Sequence, residues 1–304
     1  MILHVTNGDH AADAIRAAGV LGEILPWRDV LHEGPGPGGL PLEALSARRA
    51  AWMASRVPAW GEPAAIAASF AARDRTLAGE YDEIVLWFEH DLYDQLQLIQ
   101  LLDWLAEHRR GARVSLINPA EYLGPASPER LAAWFADRAP VTPEQLALGT
   151  RAWAAFRAPD PREVRRVMDD DALPFLPAAL RRHLEQLPSA RDGLNRSERQ
   201  LLEAVEGGAG TFGEAFAEHN RREDPVWLGD TTCLAYVEAL ARAPRPPLRL
   251  DPGKRLALTD FGRDVLAARA DHIRANGIDR WLGGAHLQGA EAAWRWNGKE
   301  VVAS

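Results

Sequence analysis

Residues 84–88, Ile-Val-Leu-Trp-Phe, form an unbroken apolar run bounded by charge, Asp82-Glu83 before it and Glu89-His90-Asp91 after it. A strand with one wet face alternates apolar and polar residues, whereas a strand covered on both faces reads as a continuous apolar stretch. The run therefore predicts a strand inside a parallel sheet with helices on either side. The rest of the front half agrees. Ile2 to Thr6 reads as a strand running into Asn7-Gly8-Asp9, Ala11 to Ala18 as a helix, and Gly22 to Trp27 as a second strand. A Gly/Pro-rich loop occupies 34–39, two alanine-rich helices are expected at 42–57 and 63–78, and a long helix at 92–108 precedes the strand Val114 to Ile117. Strands alternating with helices predict an α/β fold with a doubly wound, mostly parallel sheet. Right-handed crossovers then bring the carboxyl ends of the strands to one edge.

Behind this lies an all-helical stretch, 126–190, broken by seven prolines between Pro140 and Pro188. Asn195 with Glu198 three residues on makes a capping-box start. Helices follow at 196–206, 211–219 and 229–242, then short strands at Leu248 to Leu250 and Arg255 to Leu258, then a helix from Thr259 to about Ala275. Three helices and a hairpin predict a C-terminal winged-helix-like domain. Trp294-Arg295-Trp296 and Lys299-Glu300-Val301 flank Asn297-Gly298, a short hairpin signal. The expected division is an α/β domain at 1–125, a helical connector at 126–190, and the winged-helix-like domain at 191–304. A length of 304 residues fits more than one domain, at roughly 150 residues each.

Composition narrows the function classes. A hydrophobic fraction of 47% is ample for a packed core, and a net charge of −8 lacks the general basic footprint of a nucleic-acid protein. Lys254 and Lys299 are the only lysines, which with the abundant alanine reads as a GC-rich coding bias. The single cysteine, Cys233, excludes an internal disulfide or a thiolate metal cluster and reads as a core residue of its helix. There is no Gly-x-Ser-x-Gly elbow. No basic-then-apolar leader opens the chain and no run of about 18 apolar residues occurs, so no membrane is expected and the expected location is cytoplasmic.

Ligands of open α/β sheets bind outside the carboxyl ends of the strands. Polar groups follow the strands there: Asn7-Gly8-Asp9, Asp29 with His32-Glu33, Glu89-His90-Asp91, and Asn118 with Glu121. Asp94 and Gln95 fall in the first turn of the long helix, whose dipole favours anions. Carboxylates gathered at one edge repel unless a cation or proton is shared. Asp9, Asp29, Glu89 and Asp91 are thus candidate metal ligands, with Mg²⁺ or Mn²⁺ ahead of Zn²⁺ as the divalent ion. His32, His90 and Gln95 are the candidate catalytic groups, and Asn7, Gly8, Trp27 and Asp94 the candidate substrate contacts. Asp9 and Asp91 also sit where a helix cap is wanted.

The segments HVTNGD at 4–9, LPWRDVLHEGP at 25–35, LWFEHDLYDQLQLIQLLDWL at 86–105, LGDTTCLAYVEAL at 228–240, LTDFGRDVLAARADH at 258–272 and RWLGGAHL at 280–287 together resemble an uncharacterised bacterial family, the domain of unknown function 1835 group. More distant members have Gly-Glu-Asn in place of Glu-His-Asp. The resemblance accordingly implies Asp9, Glu89 and Gln95 ahead of His90 and Asp91. It implies the architecture and no established reaction.

Two functions are expected from these residues. One is a divalent-metal-dependent hydrolase of a phosphoester or nucleotide-like small substrate. The other is a ligand-sensing regulator whose winged helix contacts DNA or a protein partner. The third helix of that module carries Asp230, Glu238 and Arg242, a poor set for reading base edges. Arg242, Arg245, Arg249, Lys254 and Arg255 cluster instead along the hairpin. DNA therefore ranks below a protein partner or a second copy of the chain, with Thr231, Thr232 and Tyr236 expected to face the α/β cleft or another chain.

Overall fold

The computed structural model describes residues 1–56, 61–108 and 111–304. Its described residues fall into two compact units, Met1–Leu180 with Gly283–Ala285, and Arg181–Leu282 with His286–Ser304.

The first unit begins with β1 (Ile2–Thr6), α1 (Asp9–Ala17), β2 (Glu23–Pro26), a two-residue strand β3 (Gly34–Pro35), α2 (Leu42–Arg56) and α3 (Pro63–Leu77). It continues through β4 (Glu83–Trp87), α4 (Leu92–His108), β5 (Arg113–Ile117), α5 (Pro128–Ala136), β6 (Ala139–Pro140) and α6 (Pro143–Phe156). The expected end of the first alanine-rich helix, Val57, lies outside the described residues. The principal sheet has the order β2-β1-β4-β5-β6. Its first four strands are parallel, and β6 joins antiparallel to β5. The fold class is the expected one, α/β with a mostly parallel sheet.

Every residue of β4 is buried. Val85 and Trp87 pack with Ala11 and Ile15 of α1, Ile117, Leu123 and Leu131. By the two-residue alternation of a strand, Ile84 and Leu86 serve the opposite face. Trp87 Nε1 donates to His4 Nδ1 at 3.1 Å, and His4 Nε2 lies 3.2 Å from the Leu21 carbonyl. The ring is therefore the tautomer with its proton on Nε2, and burial lowers its pKa.

Helix α4 is apolar over most of its surface, with Leu92, Leu96, Leu98, Ile99, Leu101, Leu102 and Leu105 all buried. An all-round apolar helix is an internal one. Helix α6 packs against it, and Gly149 permits the approach: a Cβ there would stand 2.4 Å from Leu102 Cβ. That packing, with the addition of β6 to the sheet, explains why the stretch expected as a separate connector, 126–190, is divided between the units. Its residues as far as Leu180 belong with the sheet.

The second unit holds α8 (Arg196–Glu206), α9 (Phe212–Arg221), α10 (Asp230–Arg242), the antiparallel pair β7 (Leu248–Leu250) and β8 (Leu256–Leu258), α11 (Asp260–Leu266) and α12 (His272–Asn276); α7 (Leu176–Leu184) spans the boundary between the units. Asn195 and Glu198 form the expected capping box at α8, and Thr211 with Glu214 forms another at α9. Three expectations need correction. The single helix from Thr259 to Ala275 is two short ones, separated at Ala268, whose φ of 56° no helix accommodates. The terminal hairpin pairs β9 (Trp294–Trp296) with β10 (Val301–Ala303), so Lys299 and Glu300 belong to the turn. Asn297 Oδ1 accepts their backbone N–H groups and closes a four-residue loop, which overrides the two-residue reading. Tyr236, expected to face the α/β cleft or another chain, is buried with its hydroxyl taken up inside its own unit, where Gln186 Nε2 donates to it at 3.0 Å. Among the described residues, no helix is long and apolar enough to cross a membrane.

Candidate functional site

The strand order reverses once. The chain steps from β1 outward to β2, then returns to lay β4 on the other side of β1. The crevice of an open α/β sheet opens at such a reversal, beyond the carboxyl ends of the two strands. The residues after β1 and β4 are Asn7 and Glu89-His90-Asp91, and both groups contribute to one polar cluster.

Glu89, Asp91 and Asp94 each offer a carboxylate oxygen, and these atoms lie within 4.8 Å of one another. All three are buried, and Asp94 is completely so. Asp91 Oδ1 accepts the backbone N–H of Asp94 at 3.0 Å, three residues on, which is the geometry of a cap on α4. Asp94 is turned back by that cap. Its Oδ1 accepts from the Glu89 backbone N–H at 2.7 Å, and its Oδ2 accepts from Asn7 Nδ2 at 2.9 Å. Glu89 Oε1 accepts from the Leu123 backbone N–H at 2.6 Å. The Glu89 carbonyl is held by Gln95 Nε2 at 2.7 Å and Asn118 Nδ2 at 3.2 Å. Gln95 is wholly buried and its Oε1 finds no donor.

The electrostatics follow from burial. Loss of water pushes Glu89 up to about 7, against the pull of the Leu123, Asn7 and Gly124 donors. Burial also pushes Asp91 to about 7, with the Glu89 charge adding to it. Asp94 is raised well above the carboxylate range by burial, then by Asp91 and Glu89. No arginine or lysine among the described residues pairs with any of the three. Other buried carboxylates are treated differently. Asp74 faces Arg73, Glu83 faces Arg138, Asp192 faces Arg199 and Glu223 faces Arg182. The triad is thus three buried acids without a cationic partner among the described residues, the arrangement in which a hard divalent ion or shared protons supply the missing charge.

The structure does not bring the remaining expected ligands into this group. Asp29 is wholly buried, but Arg49 Nε donates to its Oδ1 at 2.6 Å and Arg73 NH1 stands 3.9 Å from its Oδ2. Arg49 also donates to the carbonyls of Glu33 and Pro35, so the ion pair fastens the loop after β2. Asp9 lies on the surface in a bidentate pair with Arg28, which lowers its pKa. Its charge is already met there.

The candidate catalytic and substrate residues separate in the same way. His90 is half-buried between Tyr122 and Phe175, with ring centroids at 5.1 and 5.8 Å, and stands beside two of the acids in sequence. His32 is buried, its ring 5.8 Å from Tyr93. Trp27 has no exposed face for a substrate: Nε1 donates to Gln100 Oε1 at 2.8 Å and the Arg73 guanidinium lies 3.8 Å from its ring. Gly8 precedes α1 in extended backbone, and a Cβ there would meet nothing within 4 Å, so nothing at this position demands glycine. Asp94, expected as a substrate contact, is a member of the acid group itself. Its offset of three from Asp91 is the sequence signal for that, since N-cap and N3 side chains meet at a helix start.

No protein-family model matches the chain, and no curated protein matches it.

Proposed function

We propose that the α/β unit is a divalent-cation-dependent hydrolase of phosphoester or nucleotide-like small substrates, with Glu89, Asp91 and Asp94 as the ion's ligands. The observation that carries this reading is that, among the described residues, three buried, mutually close carboxylates have no arginine or lysine partner, beside other buried carboxylates that have one. An all-oxygen set favours Mg²⁺ or Mn²⁺ over Zn²⁺. Mg²⁺ is commonly held by few carboxylates with substrate phosphate completing the shell, and the N-terminus of α4 adds a favourable field for an anion. Bound there, the ion would supply a Lewis acid and a water of lowered pKa. The chain's own groups do the rest. Asn7 and the Leu123 N–H fix the orientation of Asp94 and Glu89, and Gln95 and Asn118 hold the turn between β4 and α4. His90, half-buried and adjacent in sequence to two of the acids, is the imidazole that would move a proton. Chromogenic phosphomonoester and phosphodiester substrates test the reading with and without Mn²⁺. Metal-dependent turnover that Glu89→Gln abolishes supports it; equal turnover in Glu89→Gln rejects it.

One observation favours a second reading for the other unit. Arg249, Lys254 and Arg255 on and around the β7–β8 hairpin are exposed and form no ion pair among the described residues. In a winged-helix module such a hairpin would meet phosphate, as a ligand-responsive regulator requires. Duplex binding at low salt that Arg249→Ala and Arg255→Ala abolish would raise this reading above a protein partner.

A further inference from the structure

Helix α4 begins among the three acids, and Gln95 is held between them. Asp94 precedes it in the chain, and its backbone N–H donates to the Asp91 carbonyl at 3.0 Å. Its side chain folds back so that Nε2 donates to the Glu89 carbonyl at 2.7 Å. From the loop after β5, Asn118 Nδ2 donates to the Phe88 carbonyl at 2.6 Å and to the same Glu89 carbonyl at 3.2 Å. A carbonyl can receive only the nitrogen end of an amide, so these bonds fix which end of each side chain is which.

The oxygen ends are then left over. Gln95 Oε1 and Asn118 Oδ1 are both buried, and neither meets a donor among the described residues. Gln95 is 0% exposed, as is Asp94, so the region is enclosed and a ligand there needs no open surface. The imbalance extends to the acids. Glu89, Asp91 and Asp94 bring carboxylate oxygens within 4.8 Å of one another, and no arginine or lysine among the described residues pairs with them. Acceptors in excess, without cations, call for a ligand that is positive at its centre and presents only donors at its rim. A free water molecule can donate to two of these oxygens but brings no charge. Water in the shell of a divalent cation gives its lone pair to the ion and turns both protons outward, so ion and water together match such a lining.

We infer that Gln95 and Asn118 are positioning residues, whose amide oxygens accept from water molecules in the shell of the ion proposed at Glu89, Asp91 and Asp94. The inference rests on the metal reading above and adds the state of the ion to it. The ion is held partly hydrated, as suits Mg²⁺, which gives up its water reluctantly. The carboxylates are the ligands, and the two amides stand one layer further out and fix where the remaining water lies.

Titration of the full, chelator-stripped chain with Mn²⁺, followed by relaxation of the solvent water over a range of temperature, tests it. That relaxation reports whether Mn²⁺ keeps water and how long each molecule stays. Gln95→Met and Asn118→Leu remove the acceptors and leave the three carboxylates in place. The unaltered chain should bind Mn²⁺ with water retained on the ion. Each variant should still bind it, with Kd within about tenfold, while the residence time of that water shortens by roughly threefold or more, as loss of one hydrogen bond implies. Both substitutions also release the Glu89 carbonyl, and a purely structural role would weaken Mn²⁺ binding without altering the residence time. Asn118 is half-buried and carries the test if Gln95→Met does not fold. Residence times within about twofold of the unaltered chain, with Mn²⁺ still bound, would overturn the inference and leave the metal reading standing, as would Mn²⁺ bound without water. Loss of Mn²⁺ binding in both folded variants would make the amides ligands and overturn it too. No Mn²⁺ binding by the unaltered chain would overturn both readings.

Discussion

Asn7 Nδ2 donates to Asp94 Oδ2 at 2.9 Å, tying the residue after β1 to the first turn of α4 across the point where the strand order reverses. This bond links the two sides of that crevice at the acid group itself. It also draws Asp94 towards its ionised form, against burial and two neighbouring acids.

Asn7→Leu removes that donor while filling similar space. Loss of a hydrogen bond to a charged or partly charged acceptor costs about 1.5–3 kcal/mol when the acceptor stays buried. Urea unfolding should register a loss of that order without metal. Divalent-ion affinity should fall as well, because Asp94 then holds its proton more firmly.

Asp29 and Asp9 provide the contrast with the proposed ligands. Arg49→Met leaves the buried Asp29 carboxylate with Arg73 alone, at 3.9 Å, and breaking a buried pair costs about 3–5 kcal/mol. Asp9→Ala breaks an exposed pair worth about 0–1 kcal/mol. Chemical denaturation should therefore show a large loss for the first variant and almost none for the second. Asp9→Ala should leave Mn²⁺ affinity unaltered, and a Mn²⁺ affinity lost with Asp9 would return it to the ligand set.

The pH dependence has a defined sign. Glu89 and Asp91 titrate near 7 in the folded chain, against about 4 in the unfolded one. Their pKa values are raised, so the stability they contribute is fully present below the unfolded value and is lost as pH rises through about 7. The metal-free protein should become less stable between about pH 4.5 and 7.5. Asp91→Asn keeps the cap oxygen and removes one titrating group, and the slope of unfolding free energy against pH over that window should flatten. His4 acts in the opposite sense. Its lowered pKa makes its contribution present above about 6.5 and lost as pH falls.

Much of this was legible in the residues. The Ile84–Phe88 run announced an internal parallel strand, and Asn195 with Glu198 announced a helix start, because both signals are local. The carboxyl edge could be located because topology alone brings strand ends together. Which acids share a site could not be read, because that depends on where arginines arrive from. Arg49 and Arg73 reach Asp29 from α2 and α3, far along the chain, and Arg28 reaches Asp9 only by taking a left-handed backbone with φ of 51°. Trp27 looked available at the edge and is enclosed by Gln100 and Arg73 for the same reason. The terminal hairpin slipped because the Asn297 side chain closes a wider turn than the Asn-Gly pair suggests.

The most direct test of the central claim is calorimetric titration of the purified, chelator-stripped protein with Mn²⁺ at pH 6.0 and 8.0, alongside Glu89→Gln. Metal must displace the protons that Glu89 and Asp91 hold near neutrality, so affinity should tighten as pH rises through about 7. The account predicts saturable binding at one site at pH 8.0, weaker by roughly tenfold or more at pH 6.0, and lost in a Glu89→Gln variant that remains folded. Absence of binding at pH 8.0, or binding that Glu89→Gln leaves intact, would show that the three acids share protons rather than an ion and would contradict the account.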